Sequence, residues 1–291
     1  MVSGESPVTR RGAAGGWRRR RVLALGLGGA AAVMAGGVAG VELVSHGVLP
    51  GKNVLDQIDG ACSVPVPPLA YAPLGPAFSG VFYSGARRRS VGYTIAYPPG
   101  HQSGDELPLV VMLHGFGGNH LDALAGMSPA QAVALRVNGK ALAPMAMVTV
   151  DGGGGYWNPH PGDDPMAMVI SELIPRCQRI GLGRPPRLIG MMGISMGGYG
   201  ALLFAEKYPR LIAAAAAFAA NDAVTHARAL ARIPVRVASG YDDPFYPGVQ
   251  ALARALPAGA VVDLTKGCHT GAFFAAQQPP SLAFLARHLA S

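Results

Sequence analysis

Short apolar runs recur along the chain from residue 91 onward, and stretches with helical patterning separate them. Parallel strands need long connections, which are usually helices, so this alternation predicts an α/β fold. We expect a mostly parallel central sheet with helices on both faces. The expected strands are residues 91–97, 107–115, 146–152, 187–195, 234–240 and 261–267, and the expected helices are 129–139, 165–178, 196–207, 247–256 and 280–290.

The alanine-rich segment "LIAAAAAFAA", residues 211–220, is ambiguous on its own. Alanine has the highest helix propensity, which favours a helix. The segment follows Pro209, however, and it occupies a place where the alternation of elements requires a strand. We therefore expect a buried strand here.

The N-terminal region predicts export or membrane attachment. Residues 1–21 end in the cluster Arg18-Arg19-Arg20-Arg21, and residues 22–41 carry no charge. An uncharged helix of that length is long enough to cross a bilayer, and the arginines should stay in the cytoplasm. Paired arginines before a mild apolar segment also resemble a twin-arginine export signal. We expect a basic cytoplasmic segment and then an anchor, because no clean cleavage site follows.

This organisation places the rest of the chain outside a bacterial cytoplasmic membrane, or in the medium if the signal is cleaved. Residues 42–78 are rich in proline and predict an extended linker, either a stalk or a wrap on the domain surface. Residues 79–291 form the expected catalytic domain. Only residues 221–233 separate the alanine-rich segment from the next strand, so the domain has little or no lid.

The charge distribution excludes a nucleic-acid-binding protein. The net charge is +8, but residues 1–45 hold six arginines against Glu5 and Glu42, which accounts for +4 of it. The rest of the chain carries the remaining +4 without a basic stripe that has interleaved aromatic residues.

Three cysteines, Cys62, Cys177 and Cys268, are too few for a dense disulfide framework and have no zinc-ribbon spacing. One pair could close in an exported protein, and the sequence leaves open which pair. The simpler interpretation is that all three are buried as small apolar side chains.

The stretch "GISMGG", residues 193–198, follows an apolar run and precedes a helical pattern. A glycine two residues before and two residues after Ser195 is typical of a nucleophile elbow, a sharp turn from strand to helix that exposes a serine. Gly-x-Ser-x-Gly alone is a weak signal in so glycine-rich a chain, and its position between a strand and a helix strengthens it. We interpret Ser195 as a nucleophile.

Such a nucleophile needs hydrogen-bond donors for the oxyanion that forms during acyl transfer. One donor is the backbone N–H of Met196. The second should come from "LHGFGGN", residues 113–119, which leaves the strand predicted at 107–115. Phe116 N–H is the expected donor, and Gly117 is the alternative.

The chain order of this fold places the acid and then the histidine after the serine. His269 follows the last predicted strand and is the expected base, whereas His226 and His288 fall in predicted helices. "ASGYDDPFYP" offers Asp242 and Asp243, and we favour Asp243 because the proline that follows it fixes the turn. Asp222 is a less favoured acid.

The loop "DGGGGYWNPHPGDD", residues 151–164, has two interpretations. Tyr156 and Trp157, together with Asn158 and His160, could line an acyl or alcohol pocket, because ligands of open α/β sheets bind at the carboxyl ends of strands. Alternatively, the loop is a glycine-rich turn with Trp157 packed beneath it. For the carboxylate pair in "GDD", we expect a helix cap at Asp164 beside a solvated Asp163 rather than a metal site.

These residues resemble the esterase branch of the α/β-hydrolase superfamily, which includes S-formylglutathione hydrolases and mycobacterial mycolyltransferases. The resemblance covers residues 85–290 and rests on "YTIAYPPG", "LHGFGG", "DGGGGYW", "SELIP", "GISMGGYGAL", "SGYDDPFYP" and "GCHTGAFF". It implies a triad of Ser195, Asp243 and His269, with Phe116 and Met196 as oxyanion donors and with no metal or organic cofactor.

Two departures from the family narrow the range of expected substrates. An exported protein is not expected to meet glutathione thioesters, and the mycolyltransferases usually carry a tryptophan where this chain has "TGAFF". We expect a serine carboxylesterase that acts on small-molecule or lipid esters, with residues 22–41 attaching it to the membrane. The alternatives are an acyltransferase with the same triad and an inactive hydrolase-like binding domain.

Overall fold

The computed structural model describes residues 56, 59–186, 188–220 and 229–290. Residues Ala61–Ser291 form one compact unit. Its strands are β1 (Ala70–Tyr71), β2 (Ala77–Ser84), β3 (Arg89–Ala96), β4 (Leu109–Leu113), β5 (Leu135–Val137), β6 (Lys140–Ala141), β7 (Ala146–Val150), β8 (Ile189–Ile194), β9 (Ile212–Phe218), β10 (Val235–Gly240) and β11 (Val261–Thr265). Its helices are α1 (Pro129–Val133), α2 (Pro165–Ala167), α3 (Ile174–Arg179), α4 (Met196–Lys207), α5 (Tyr246–Ala255) and α6 (Gly271–Leu289).

The central sheet has eight strands in the order β11-β10-β9-β8-β4-β7-β3-β2. The six strands from β11 to β7 run parallel, whereas β3 and β2 are antiparallel to their neighbours. The predicted α/β fold with a mostly parallel sheet is confirmed. Because parallel strands end at the same edge, the loops after β4, β7, β8, β10 and β11 meet there.

Helices cover both faces of the sheet, as the continuous apolar runs predict. Successive residues of β4 alternate between two buried clusters: Val111 packs on the side of α4, and Met112 packs on the side of α6. The alanine-rich β9 is buried on both faces, which confirms the strand expected at 211–220. Alanine side chains are small enough for α4 and α6 to pack closely on either side of this strand.

The helix expected at 129–139 is only partly correct. A capping box starts α1 at Ser128, where the serine side chain accepts from Gln131 N–H and the Gln131 side chain accepts from Ser128 N–H. The chain then forms the β5–β6 hairpin through Asn138 and Gly139, whose φ angles are 51° and 74°. Asn-Gly is a strong hairpin signal because both residues tolerate positive φ, and here it ends the helical pattern.

Two other helices contain prolines and differ from their expected form. The helix expected at 165–178 is present, but Met168–Leu173 is a π-helical segment between α2 and α3. Pro175 lies just beyond it and has no N–H to donate, which suits a local departure from α-helical bonding. The last helix begins at Gly271 rather than at residue 280, with Thr270 as its cap. It continues through Pro279 and Pro280 because tertiary packing buries this part of the helix.

The compact unit begins earlier than the boundary expected at residue 79. The strand β1 pairs with β5, Tyr97 N–H donates to Pro76 O at 2.9 Å, and Cys62 is bonded to Cys268. The described part of the proline-rich segment is therefore a wrap on the domain rather than a stalk. The predicted segments 1–21 and 22–41 lie outside the described residues. Among the residues that are described, no helix is both long and apolar enough to cross a membrane.

A buried ion pair joins the β2–β3 hairpin to the loop that follows β7. The Arg87 side chain is only 3% exposed; its Nε donates to Asp163 Oδ1 at 2.7 Å and its Nη1 donates to Asp151 O at 2.6 Å. Asp164 caps α2 as expected, by accepting from Ala167 N–H at 2.8 Å. The expectation that Asp163 is a solvated neighbour is wrong, because Arg87 holds it.

We predict that Asp163→Asn lowers the free energy of unfolding at pH 7 by about 2 kcal/mol, because it leaves the buried Arg87 guanidinium without an anionic partner. Hydrogen bonds from Arg87 hold the pKa of Asp163 below its usual value. This contribution is present above the unfolded pKa of about 3.9 and is lost as the pH falls through the lower folded value.

Urea unfolding at pH 7 and below pH 4 measures this effect, and the difference between wild type and Asp163→Asn should shrink in acid. The control is Asp105→Asn, since Asp105 pairs with His101 at a partly exposed site and should contribute about 0–1 kcal/mol. A difference that stays constant with pH would contradict the assignment.

Candidate active site

Ser195 lies at the sharp turn between β8 and α4. Its backbone has φ 55° and ψ −118°, a region that L-residues rarely adopt. Ser195 N–H donates to Phe218 O of the neighbouring strand at 2.9 Å, and Ser195 O accepts from Tyr199 N–H at 3.0 Å. These bonds hold the strained residue between a strand and a helix, as the elbow interpretation expects.

The glycines around Ser195 are required by close backbone packing. A Cβ at Gly193 would collide with the backbone of Gly197, and a Cβ at Gly197 would collide with the carbonyl of Leu113 at the end of β4. The first turn of α4 thus lies directly against β8 and β4. Any larger side chain at either position would move the helix away from the sheet and shift Ser195.

Three side chains from distant parts of the chain form a continuous hydrogen-bonded series. His269 Nε2 lies 3.0 Å from Ser195 Oγ, and His269 Nδ1 lies 2.8 Å from Asp243 Oδ2. The Asp243 side chain is fully buried, and its other oxygen accepts from Phe245 N–H at 2.8 Å. The structure therefore places Asp243 and not Asp242 beside His269.

The acid and histidine loops are bonded to each other as well as to Ser195. Asp242 N–H donates to Gly267 O at 3.0 Å, and Tyr241 N–H donates to Thr265 O at 2.8 Å. Gly240 faces the backbone of Gly267 so closely that a Cβ would collide with its carbonyl. Because β10 and β11 are parallel neighbours, the loops that follow them leave the sheet side by side.

Two aromatic rings flank His269, and sequence reasoning did not identify either. Phe245 and Phe274 each meet the imidazole edge to face, with ring centroids 5.1 and 5.0 Å away. Both lie in motifs already singled out, "SGYDDPFYP" and "GCHTGAFF", but nothing in the spacing shows that they converge. Together with Asp243 they restrict the orientation of the imidazole ring.

The glycine-rich loop after β4 passes next to Ser195. A side chain added at Gly115 would come within 3.7 Å of Ser195 Cβ. Phe116 and Gly117 lie on the exposed part of this loop, and Phe116 is 73% exposed. Met196 is the first residue of α4, directly after Ser195. Both segments that carry the expected donors therefore lie next to the serine.

The loop after β7 differs in part from the pocket interpretation. Trp157 is fully buried, beneath Gly152 and Gly200, so it packs under the site and does not line a pocket. Tyr156 is half-buried and meets Tyr199 edge to face at 6.1 Å. Of the two residues, only Tyr156 has surface that a ligand could contact.

The other candidate acid and bases fall elsewhere. His288 lies near the end of α6 against Phe284, at 4.6 Å between ring centroids, and burial lowers its pKa. His226 and Asp222 lie outside the described residues. Within the part of the chain that the structure describes, no group of three or more His, Cys, Asp or Glu side chains is placed to hold a metal ion.

A disulfide ties the histidine loop to the start of the compact unit. Cys62 is bonded to Cys268, the residue immediately before His269. Cys177 is a free, buried cysteine, and burial raises the pKa of its thiol to about 12. The interpretation of all three cysteines as small apolar side chains holds for Cys177 alone.

An eight-stranded, mostly parallel sheet with a serine at a strand-to-helix turn and a histidine and an acid on later loops is the arrangement of the α/β-hydrolases. Residues 84–245 match the family model described as "Putative esterase", which covers more than half of the chain. The protein belongs to this esterase family of serine hydrolases. No curated protein sequence matches the chain.

Solved structures support the fold at low sequence identity. An S-formylglutathione hydrolase from Agrobacterium tumefaciens is 16% identical with a TM-score of 0.58, covering 76% of this chain and 98% of its own. The feruloyl esterase module from Clostridium thermocellum, complexed with sinapinate, is 14% identical with a TM-score of 0.60, covering 77% and 95%. A fluorophosphonate-binding serine hydrolase from Staphylococcus aureus is 14% identical with a TM-score of 0.55, covering 74% and 99%.

We predict that Cys62→Ser lowers the free energy of unfolding by about 3 kcal/mol, because the disulfide closes a long loop and restricts the unfolded chain. It should also slow the hydrolysis of a p-nitrophenyl ester, because the bond anchors the residue next to His269. Thermal unfolding and ester turnover of the full chain measure the two effects. Cys177→Ala, which leaves the disulfide intact, is the control and should keep its turnover. Equal stability of Cys62→Ser and wild type would contradict the prediction.

Proposed function

We propose that the protein is a serine carboxylesterase in which Ser195, His269 and Asp243 form the catalytic triad. The observation that carries this proposal is the hydrogen-bonded series from Ser195 Oγ through His269 to Asp243. The strained backbone of Ser195 and the burial of Asp243 support it, because both are typical of a preorganised nucleophile and its orienting acid.

The protonation states follow from the hydrogen bonds. A carboxylate only accepts hydrogen bonds, so His269 Nδ1 carries a proton that it donates to Asp243. In the neutral ring Nε2 is then unprotonated and takes the proton from Ser195 Oγ as the oxygen attacks the ester carbonyl. His269 next gives that proton to the departing alcohol, which leaves an acyl group on Ser195. A water molecule then attacks the acyl carbon while His269 takes its proton. His269 returns this proton to Ser195 Oγ as the bond from the acyl carbon to Oγ breaks, which releases the acid and restores the serine.

The oxyanion of each tetrahedral intermediate needs two N–H donors. Met196 N–H lies at the start of α4, where the helix dipole also favours negative charge. Phe116 N–H is the proposed second donor, with Gly117 N–H as the alternative, because their loop passes beside Ser195. Losing one such donor costs about 10²- to 10³-fold in rate.

Exposed apolar side chains on the loops at this edge of the sheet favour substrates with an apolar part. Phe116, Leu121 and Tyr241 belong to the loops that follow β4 and β10, and all three are well exposed. We infer that they contact the acyl or alcohol group of a lipid or cell-envelope ester, with Tyr156 contributing from the loop after β7. The Cys62–Cys268 disulfide supports action outside the cytoplasm, where such bonds persist.

We predict that Ser195→Ala lowers kcat/KM for a p-nitrophenyl ester by about 10⁴-fold or more, because it removes the nucleophile. Asp243→Asn should lower it about 10⁴-fold, because an amide no longer holds the imidazole in the reactive tautomer. Asp242→Asn is the matched control and should stay within about threefold of wild type.

Intact-mass analysis with a fluorophosphonate tests the nucleophile directly. One adduct should form on the wild type and none on Ser195→Ala. A folded wild type that takes no adduct and shows no turnover would overturn the proposal in favour of a binding domain. Turnover that shifts to ester synthesis when alcohols are added would instead identify an acyltransferase.

A further inference from the structure

The oxyanion loop, residues 114–120, presents Phe116 on an exposed turn that contains three glycines. Within the loop, Gly118 N–H donates to Gly115 O at 3.1 Å. Glycine-rich backbone has wide conformational freedom, so this turn alone does not determine where Phe116 N–H points. A histidine lies at each end of the loop, His114 at the start and His120 at the end, and each contacts the segment 149–152 that ends β7.

The start of the loop is fixed by His114, which is fully buried. Its Nε2 accepts from Gly152 N–H at 2.9 Å, so Nδ1 carries the proton and donates to Gly115 O at 2.7 Å. Trp157 Nε1 donates to His114 O at 3.4 Å. Burial lowers the pKa of His114 and keeps the ring neutral, which preserves Nε2 as an acceptor.

The end of the loop is fixed by His120 and Asp151. Asp151 Oδ1 accepts both from the backbone N–H of His120 and from His120 Nδ1, each at 2.8 Å. Thr149 Oγ1 donates to His120 O at 2.6 Å. Both the backbone and the side chain of His120 are thus bonded to residues of a single strand end.

Asp151 is itself held by the neighbouring strand. Its Oδ2 accepts from Gly92 N–H at 3.0 Å, and its own N–H donates to Gly92 O at 3.0 Å. A side chain at Gly92 would collide with the His120 ring, which packs against this glycine. Burial raises the pKa of Asp151, but the hydrogen bonds from His120 outweigh it and hold the pKa below its usual value. The carboxylate is therefore ionised at neutral pH.

We propose that His120 and Asp151 are positioning residues that orient the Phe116 N–H, or the alternative Gly117 N–H, toward the oxyanion on Ser195. This inference rests on the proposed esterase function. The strands β4 and β7 are neighbours in the sheet. The hydrogen bonds at both ends of the loop therefore fix its position relative to the same part of the sheet. The hydrogen bonds of His120 and Asp151 join the end of the loop to β7 and β3, so their proposed action on the transition state is through the direction of the donor.

His120→Ala should lower kcat for an ester about 10- to 100-fold, less than the full loss of an oxyanion donor. KM should stay within about twofold, because the donor acts mainly on the oxyanion and not on the ground-state ester. His120→Asn places an amide N–H close to the position of Nδ1 and should restore kcat to within about threefold of wild type. His120→Gln places its amide near the position of Nε2, away from Asp151, and should behave like His120→Ala.

A matched control is available at the opposite edge of the sheet, where His101 Nδ1 lies 3.0 Å from Asp105 Oδ2. His101→Ala removes a similar histidine–aspartate pair from the connection between β3 and β4 and should leave kcat unchanged. Thermal midpoints of all variants show that the compared proteins are folded.

The decisive readout is the inhibition constant of an aryl trifluoromethyl ketone. Its adduct with the serine carries an oxyanion that uses the same donors, so its Ki should rise in each variant in proportion to the loss of kcat/KM. An effect limited to protein stability or to binding of the ground-state ester would not produce this correlation. Should His120→Ala not fold, the contrast between His120→Asn and His120→Gln decides the question.

Three results would overturn the inference while the esterase function stands. These are a raised KM with unchanged kcat, a Ki that does not follow kcat/KM, and an Asn variant that is no better than Ala or Gln. A wild type that takes no fluorophosphonate and hydrolyses no ester would instead overturn the proposed function together with this inference.

Discussion

The close packing of α4 against the ends of β8 and β4 is the constraint on which the site depends. Gly193 and Gly197 bring backbone into contact with backbone, and this forces Ser195 into its left-handed conformation. The serine oxygen is consequently presented at the carboxyl edge of the sheet. Every other group of the candidate site must reach that position, and the parallel strands make this possible because their loops emerge at the same edge.

Hydrogen bonds, an ion pair and a disulfide hold those loops in place. The acid and histidine loops are joined by the hydrogen bond from Asp242 N–H to Gly267 O. The disulfide between Cys268 and Cys62 ties the histidine loop to the proline-rich segment that lies against the domain. The oxyanion loop is bonded at both ends to the strand end that carries Asp151. Arg87 adds a buried link to the same segment by donating to the carbonyl of Asp151. The loops that surround Ser195 are thus bonded to strand ends or to one another, which gives exposed, glycine-rich backbone a defined geometry.

Elements with strong local signals could be predicted from the sequence. The apolar runs became strands, β9 included, because their burial follows from composition and from the alternation of elements. The predictions failed where a competing signal or a distant contact decided the outcome. Asn138-Gly139 turned the second half of the helix expected at 129–139 into a hairpin. Packing of α6 against the sheet extended α6 across Pro279-Pro280. Trp157 resembled a pocket residue in a glycine-rich loop, yet the neighbouring glycines leave room for its ring beneath the site.

The sequence by itself determined the fold class, the strand-to-helix turn at Ser195, and the order in which serine, acid and histidine candidates follow one another. These are properties of short segments, so they can be predicted from the periodicity of apolar residues and from the spacing of glycines. Only the tertiary structure decided that Cys62 pairs with Cys268, that Phe245 and Phe274 flank His269, and that His120 meets Asp151. Such pairings depend on which loops lie side by side once the strands are ordered in the sheet, and strand order is set by packing between segments far apart in the chain.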